Sequence, residues 1–190
     1  MIDVENIIDL QRRIALFDDE LAYKELFFAF HPALKRFAFS FLHNRESAEE
    51  VVSDVFVKIW QRRKTLSSIE NLRVYLYVSA KHTALNYLSR EKREANVRAA
   101  EPDLDMPATA QNPEQLMMTA EMLRQVRLAI QALPPRCKMV FKLVKDDGLP
   151  YKEVADILNI SVKTIDSQLA IALKKISASV SARLTSSTRW

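Results

Sequence analysis

The run LPPRCKMVFKLVKDDGLPYKEVADILNISVKTIDSQLAIALKKI, from Leu133 to Ile176, decides the fold of its half of the chain. Pro134 and Pro135 break whatever helix precedes them. A short helix follows and stops near Gly148, the single glycine of the sequence, placed where a helix C-terminus favours one. A second short helix is expected from Tyr151 to Leu158, with Val154, Ala155, Ile157 and Leu158 on one side. Asn159 suits the left-handed residue of a tight turn. Ser161 is placed to cap a third helix through its hydroxyl. In that helix Val162, Ile165, Leu169, Ala172, Leu173 and Ile176 recur by threes and fours as one apolar stripe. Lys163, Thr164, Asp166, Ser167, Gln168 and Lys174 lie off it. A packed stripe behind and a polar face in front is what a helix entering the major groove requires. Any amphipathic hairpin shares the stripe; the two short helices joined by a three-residue turn favour the DNA-reading form.

Composition narrows the rest. In 190 residues, 48% are apolar, enough for one domain or two small ones with packed cores. One glycine argues against tight hairpins, phosphate-binding loops and dinucleotide-binding turns. The three-four periodicity of the long segments points to an all-α chain. A single cysteine, Cys137, forms no internal disulfide, which suits a reducing cytosol. Beside Arg136 and Lys138 its thiol pKa has a reason to fall, but a small core residue is the plainer reading. No run approaches about 18 apolar residues, so no membrane insertion is expected. MIDVENIIDLQRR lacks the basic start and apolar block of an export signal, so a cytoplasmic place is expected. The formal charge of +4 permits nucleic acid without demanding it.

Residues 95–112, ANVRAAEPDLDMPATAQN, carry Pro102, Pro107, Glu101, Asp103 and Asp105 and keep no helical stripe; they read as a linker. The domains expected around it are residues 1–94 and 113–178, with a tail at 179–190. Asn112, Pro113 and Gln115 have the pattern of a capped helix start. The helix they open has the stripe Leu116, Ala120, Leu123, Val126, Ile130 and Leu133. The first domain reads as four helices: Glu5–Phe17; Asp19–Phe41 with an interruption at His31-Pro32; one beginning at a Ser47 cap boxed by Glu50; and Asn71–Arg93. In the third, Ala48, Val51, Val52, Val55, Phe56 and Ile59 face inward, while Glu49, Glu50, Ser53, Asp54, Val57 and Lys58 lie on or near the other face. Glu49 and Glu50 suit a helix start on electrostatic grounds alone. Asp54 has no such reason, and a basic protein partner would supply one. The fourth helix begins aromatic and apolar, with Leu72, Tyr75, Leu76 and Tyr77, and becomes polar and basic, with Lys81, His82, Asn86, Arg90, Lys92 and Arg93. Rings that stack on unpaired bases and cations that hold phosphates suit a single strand; equally, the aromatics suit a core. His31, His43 and His82 are scattered, without metal spacing, and no activated nucleophile is evident. No metal, cofactor or catalytic residue is expected, and the chain reads as a non-enzyme.

Taken together, these segments resemble an extracytoplasmic-function (ECF) sigma factor of bacterial RNA polymerase over about residues 20–178. ESAEEVVSDVFVKIWQRR resembles the core-binding helix of sigma region two, and ENLRVYLYVSAKHTALNYLSREKR the promoter-melting segment that follows. The span from NPEQL to IALKKI resembles sigma region four. The resemblance implies that Glu50, Asp54 and Gln61, with Glu49 and Lys58 beside them, face the clamp helices of core polymerase. It implies that the loop Leu66-Ser67-Ser68-Ile69-Glu70-Asn71 lies near a flipped minus-ten base. Lys81, His82, Asn86, Tyr87, Arg90 and Arg93 would follow the opened strand. Lys163, Thr164, Asp166, Ser167, Gln168 and Ile171 would meet the minus-thirty-five duplex of promoter DNA. The family often has basic residues at the positions of Asp166, Gln168 and Ile171, and this chain has none there. Asp accepts from cytosine and Gln pairs with adenine, so a distinct preference is expected. The implied partners are core RNA polymerase, promoter DNA and a membrane-tethered anti-sigma factor, and the implied place is the cytoplasm, at the nucleoid. Two rivals stay open: a helix-turn-helix regulator that is no polymerase subunit, and a helical adaptor that binds no DNA.

Overall fold

The computed structural model describes residues 4–95 and 116–187; the linker beyond Ala95, the start signal Asn112–Gln115 and the last three residues lie outside them. Every described element is helical. The chain divides into two compact units. The first contains α1 (Val4–Phe17), α2 (Glu20–Leu42), α3 (Arg45–Gln61), a 3-10 turn (Arg63–Ser68) and α4 (Leu72–Ala95). The second is built on α5 (Leu116–Gln131), α6 (Pro135–Phe141), a π-turn (Lys142–Asp146), α7 (Tyr151–Leu158) through Ala155, and α8 (Val162–Ser187).

In the first unit α2 is central and packs on α1, α3 and α4. Its start is fixed by Asp19, whose carboxylate accepts from the Leu21 and Ala22 amides at 2.9 and 3.0 Å and pairs with Arg13. Its buried face is Ala22, Leu26, Phe30, Leu34, Phe37 and Ala38. Each of the buried leucines and phenylalanines stabilises by about 1.5–3 kcal/mol relative to exposure. Rings lock the layers: Phe27 lies 4.8 Å from Phe56, and Phe37 5.1 Å from Tyr77. The Tyr23 hydroxyl donates to the Phe56 carbonyl at 2.9 Å, and burial pushes its pKa up.

The expected break at His31-Pro32 does not occur; α2 runs through Pro32. The carbonyl that loses its helix partner is that of Phe28, and both residues lie on an exposed side where water is at hand. The buried stripe on the opposite side holds the helix together across the gap. The expected cap of α3 is also displaced. Asn44, not Ser47, caps it: the Asn44 side-chain oxygen accepts from the Ser47 amide at 2.9 Å. His43 before it is left-handed at φ 54°, turning the chain so that Asn44 arrives first. The Ser47 hydroxyl is thereby freed to donate to the Tyr87 hydroxyl at 3.0 Å. Among the apolar and aromatic residues at the start of α4, Leu76 and Tyr77 are core and Tyr75 is exposed.

In the second unit α8 packs against α5 and α6 over a core that includes Ala129, Leu133, Val140, Leu143, Ile165, Leu169 and Ala172. Gly148 at φ 62° ends the π-turn, and Asn159 at φ 57° makes the turn before α8, both as their positions require. Ser161 caps α8, accepting from the Thr164 amide at 3.1 Å. The apolar stripes are narrower than expected. Leu123 of α5 and Val162 and Leu173 of α8 are exposed, because each sits at the margin of an arc whose centre already fills the interface. The segment set apart as a tail continues α8 as helix to Ser187.

Candidate polymerase and nucleic-acid interfaces

Helix α3 buries Ala48, Val51, Val52, Val55, Phe56 and Ile59. Helical geometry therefore places Glu50, Asp54, Val57, Lys58 and Gln61 together on the opposite side, and all five are exposed. Val57, 53% exposed, stands among them as an apolar centre within a polar rim. Glu49 is turned away from this group. Its carboxylate meets His31 at 2.6 Å and also the Lys35 ammonium, both on α2. Lys35 foremost, and then His31, hold the Glu49 carboxyl below its usual range.

The loop after α3 carries Ser67, Ser68 and Asn71, all exposed. The Ser68 hydroxyl donates to the Thr65 carbonyl at 2.7 Å, and the Asn71 side-chain oxygen caps α4 by accepting from the Val74 amide at 3.0 Å. Behind the loop lies a residue that the sequence reading passed over. Gln11 of α1 is 7% exposed and donates its amide to the carbonyls of Leu66 and, at 2.7 Å, Ile69. One signal was available: a glutamine sits between Leu10 and Ile14, within a stripe that is otherwise buried and apolar. At the end of α1, Asp18 pairs with Arg63 and Lys64 at the foot of the same loop, and those two partners hold its carboxyl below the usual range.

Along α4, His82, Asn86, Arg90 and Arg93 are exposed and follow one another by fours and a three, which keeps them on one side. Lys81 precedes them on the same helix. Tyr87 is half-buried, its hydroxyl accepting from Ser47 and its ring lying 5.3 Å from the Arg90 guanidinium. In the second unit Lys163, Asp166, Ser167 and Ile171 of α8 are exposed, and Thr164 is half-buried beside the Ser161 cap. Gln168 departs from them. It is half-buried, and its side-chain oxygen accepts from the Cys137 thiol of α6 at 2.8 Å. Cys137 is buried, so its contribution here is packing and this one bond. The structure thus gathers three exposed polar faces, one each on α3, α4 with its preceding loop, and α8.

Comparison with known proteins bears on all three. A family model described as Sigma-70 region 2 matches residues 26–94, and one described as Sigma-70, region 4 matches residues 123–176. The ECF RNA polymerase sigma-E factor of Escherichia coli K12 is 31% identical over 134 residues, which cover 67% of this chain and 70% of that protein. This chain belongs to the ECF sigma factor family. It is an alternative sigma factor, directing RNA polymerase in transcription initiation. The RNA polymerase sigma factor YlaC of Bacillus subtilis is 23% identical over 77% of this sigma factor and 84% of its own length. Among solved structures, the sigma factor RpoE of Bartonella quintana, in complex with the anti-sigma factor NepR, superposes with a TM-score of 0.61 at 20% identity. That match covers 84% of this chain and 96% of the other. CnrH, in complex with the cytosolic domain of CnrY, superposes with a TM-score of 0.57 at 22% identity over 95% and 99%. At these identities the two structures show a shared fold. The match to region 2 spans α3, the loop and α4, and the match to region 4 spans α6, α7 and most of α8.

Proposed function

We propose that the three exposed faces divide the work of this sigma factor. The α3 face of Glu50, Asp54, Val57, Lys58 and Gln61 docks on core RNA polymerase, with Glu49 bracing α3 against α2 behind it. Ser67, Ser68 and Asn71 of the loop, with Lys81, His82, Asn86, Tyr87, Arg90 and Arg93 of α4, take the opened minus-ten strand. Cations there hold phosphates and the exposed ring and amide groups meet bases. Lys163, Thr164, Asp166, Ser167 and Ile171 read the minus-thirty-five duplex, and Gln168 offers its amide N–H groups from a side chain held by Cys137. The observation that carries this reading is the exposure pattern on α3: Asp54 and Glu50 lie in solvent around an exposed valine, on the side the first unit does not use for packing.

The same reading makes residues 1–94 and 113–178 the two working domains and 95–112 their linker. It gives the protein no catalysis of its own and places it in the cytoplasm, at the nucleoid; membership of the sigma factor family supports the regulatory role and the cytoplasmic place. An anti-sigma factor, held at a membrane, is the regulatory partner; the Bartonella quintana relative is seen in complex with an anti-sigma factor, NepR, and CnrH in complex with the cytosolic domain of CnrY.

Reconstitution with core polymerase tests the assignment. The native chain should comigrate with core enzyme and confer transcription from a promoter that core alone ignores. Glu50→Lys with Asp54→Lys should abolish comigration at moderate salt while helicity stays intact. Normal assembly of the double variant would show that docking lies elsewhere.

A further inference from the structure

The amide of Gln11 stands out because it is polar, buried and committed to backbone far away in sequence. A primary amide offers two N–H donors. Here they meet two carbonyls, those of Leu66 and Ile69, which bracket Ser67 and Ser68. Few side chains fit this task. A leucine or methionine offers no donor, an asparagine is one methylene shorter, and a lysine would place a charge where little water reaches. The Leu66 carbonyl accepts from the Ile69 amide as well, at 3.0 Å, so Gln11 reinforces the bond that closes the 3-10 turn. Leu66 itself is buried, and α1, which carries the fully buried Leu10 and Ile14, packs along the turn. Asp18 then ties Arg63 and Lys64 at the foot of the loop. Helix α1, with Asp18 just beyond its end, thus grips the loop from behind at three points and leaves Ser67, Ser68 and Asn71 facing out. It does so from outside the segment that matches sigma region 2, which begins at residue 26.

We infer that Gln11 is a positioning residue for single-strand recognition: by holding the Leu66 and Ile69 carbonyls it fixes the loop in the shape that receives an unpaired base. The inference rests on the proposed role of the Leu66–Asn71 loop at the opened minus-ten strand. A loop that samples many shapes offers hydrogen-bond partners to several bases; a pinned loop offers one arrangement. Discrimination between bases should therefore depend on Gln11 more than bulk affinity does.

The test uses holoenzyme and a partly melted promoter fragment selected by native holoenzyme from a pool randomised over the minus-ten region. Relative affinities are read for each base at each unpaired position. Gln11→Leu and Gln11→Glu, neither of which supplies the two donors at neutral pH, should both reduce discrimination at the loop-read position by roughly five-fold. Polymerase assembly and minus-thirty-five preference should stay unchanged. Ser67→Ala and Ser68→Ala serve as the companion test. If the serine variants alter base preference and the Gln11 variants do not, the role given to Gln11 is overturned while the loop reading stands. If neither set alters it, the loop reading falls and the inference with it. An equal loss of affinity for all bases would make Gln11 merely structural and would also overturn the proposal. Should Gln11→Leu fail to assemble, Asp18→Asn loosens the same loop from an exposed position and should lower discrimination in the same direction; no change there would count against the grip of α1.

Discussion

The two parts of this sigma factor proposed to face DNA are held in shape by different means. In the second unit the geometry before α8 is set by its neighbours in sequence: Gly148 and Asn159 at positive φ, and Ser161 capping within one turn. In the first unit the loop before α4 is held by a residue 55 and 58 positions upstream of the carbonyls it binds. A duplex is a regular object, and a helix presented at the right angle is enough to meet it. An opened strand has no fixed shape of its own, so the surface that receives it gains more from being braced. The comparison teaches that, on the proposed assignment, the shape of the duplex-reading part is a local property of sequence, whereas that of the single-strand-reading part is a tertiary one.

The largest expected effect comes from removing the buried anchor of each part. Leu66→Ala in the first unit and Leu169→Ala in the second each leave a cavity and should cost about 2–5 kcal/mol, measured by urea denaturation. Their functional consequences should separate. Leu66→Ala should reduce strand opening, read by permanganate reactivity of promoter thymines, with upstream binding kept. Leu169→Ala should weaken upstream binding first. Equal damage to both activities by either variant would dissolve the distinction drawn here.

What was legible in the sequence follows the same division. The turn at Asn159, the cap at Ser161 and the stop at Gly148 are signals carried by one or two residues, and each stands where expected. The inward face of α3 was readable for the same reason: its period repeats without interruption from Ala48 to Ile59. Pro32 misled because its cost depends on which side of α2 faces water, and periodicity alone did not settle that across a helix this aromatic. Ser47 misled because Asn44 is an equally good cap three residues earlier, and the left-handed His43 decides between them. Gln11 was passed over because its partners are backbone carbonyls, which leave no trace in residue type. Glu49 and Glu50 look alike in sequence; one is paired with His31 and Lys35 and the other lies exposed, a distinction that only the packing of α2 against α3 creates.

Next in size are the base contacts. Substituting Lys163 or Ser167 by alanine should shift upstream sequence preference, a lost base contact costing about 1–3 kcal/mol. Asn86→Ala should alter opening instead. Arg90→Ala and Arg93→Ala, if they hold phosphates alone, should weaken all promoters alike and flatten the salt dependence. Selection from a randomised promoter pool by each variant checks all of these together. Upstream preference unchanged by Lys163 and Ser167 substitutions would remove the assigned reading face from α8.

A smaller effect tests whether the second unit's geometry is as local as argued. Asn159→Val forces a β-branched residue to φ 57° and should destabilise by about 1–2 kcal/mol, whereas Asn159→Gly should be tolerated. Because only the turn is disturbed, upstream affinity should fall for every sequence without a change in preference. A changed preference would mean that the turn sets the register of α8 on DNA as well as its stability.

The smallest expected effect concerns the charged contacts of Glu49 behind the proposed polymerase-docking face, and its sign can be worked out. The Lys35 ammonium and His31 hold the Glu49 carboxyl below its ordinary value of 4.5. A carboxyl lowered in the folded state contributes stability that is fully present above the unfolded value and is lost as pH falls through the folded one. With 42% of the Glu49 side chain exposed, solvent screening limits that contribution to less than about 1 kcal/mol. Lys35→Met should therefore lower the urea midpoint slightly at about pH 6, above the ordinary value of 4.5, and the gap from the native protein should close as pH falls through the lowered folded value of Glu49. Docking should discriminate further. Glu49→Gln should leave assembly with core polymerase intact, because its carboxylate is spent on α2 while Glu50 and Asp54 remain exposed. A defect in assembly as large as that of the Glu50 and Asp54 reversal would instead extend the docking face across Glu49 and onto α2. The brace and the docking surface would then be one feature, and tertiary support would reach beyond the minus-ten loop to the polymerase-binding side of the same unit.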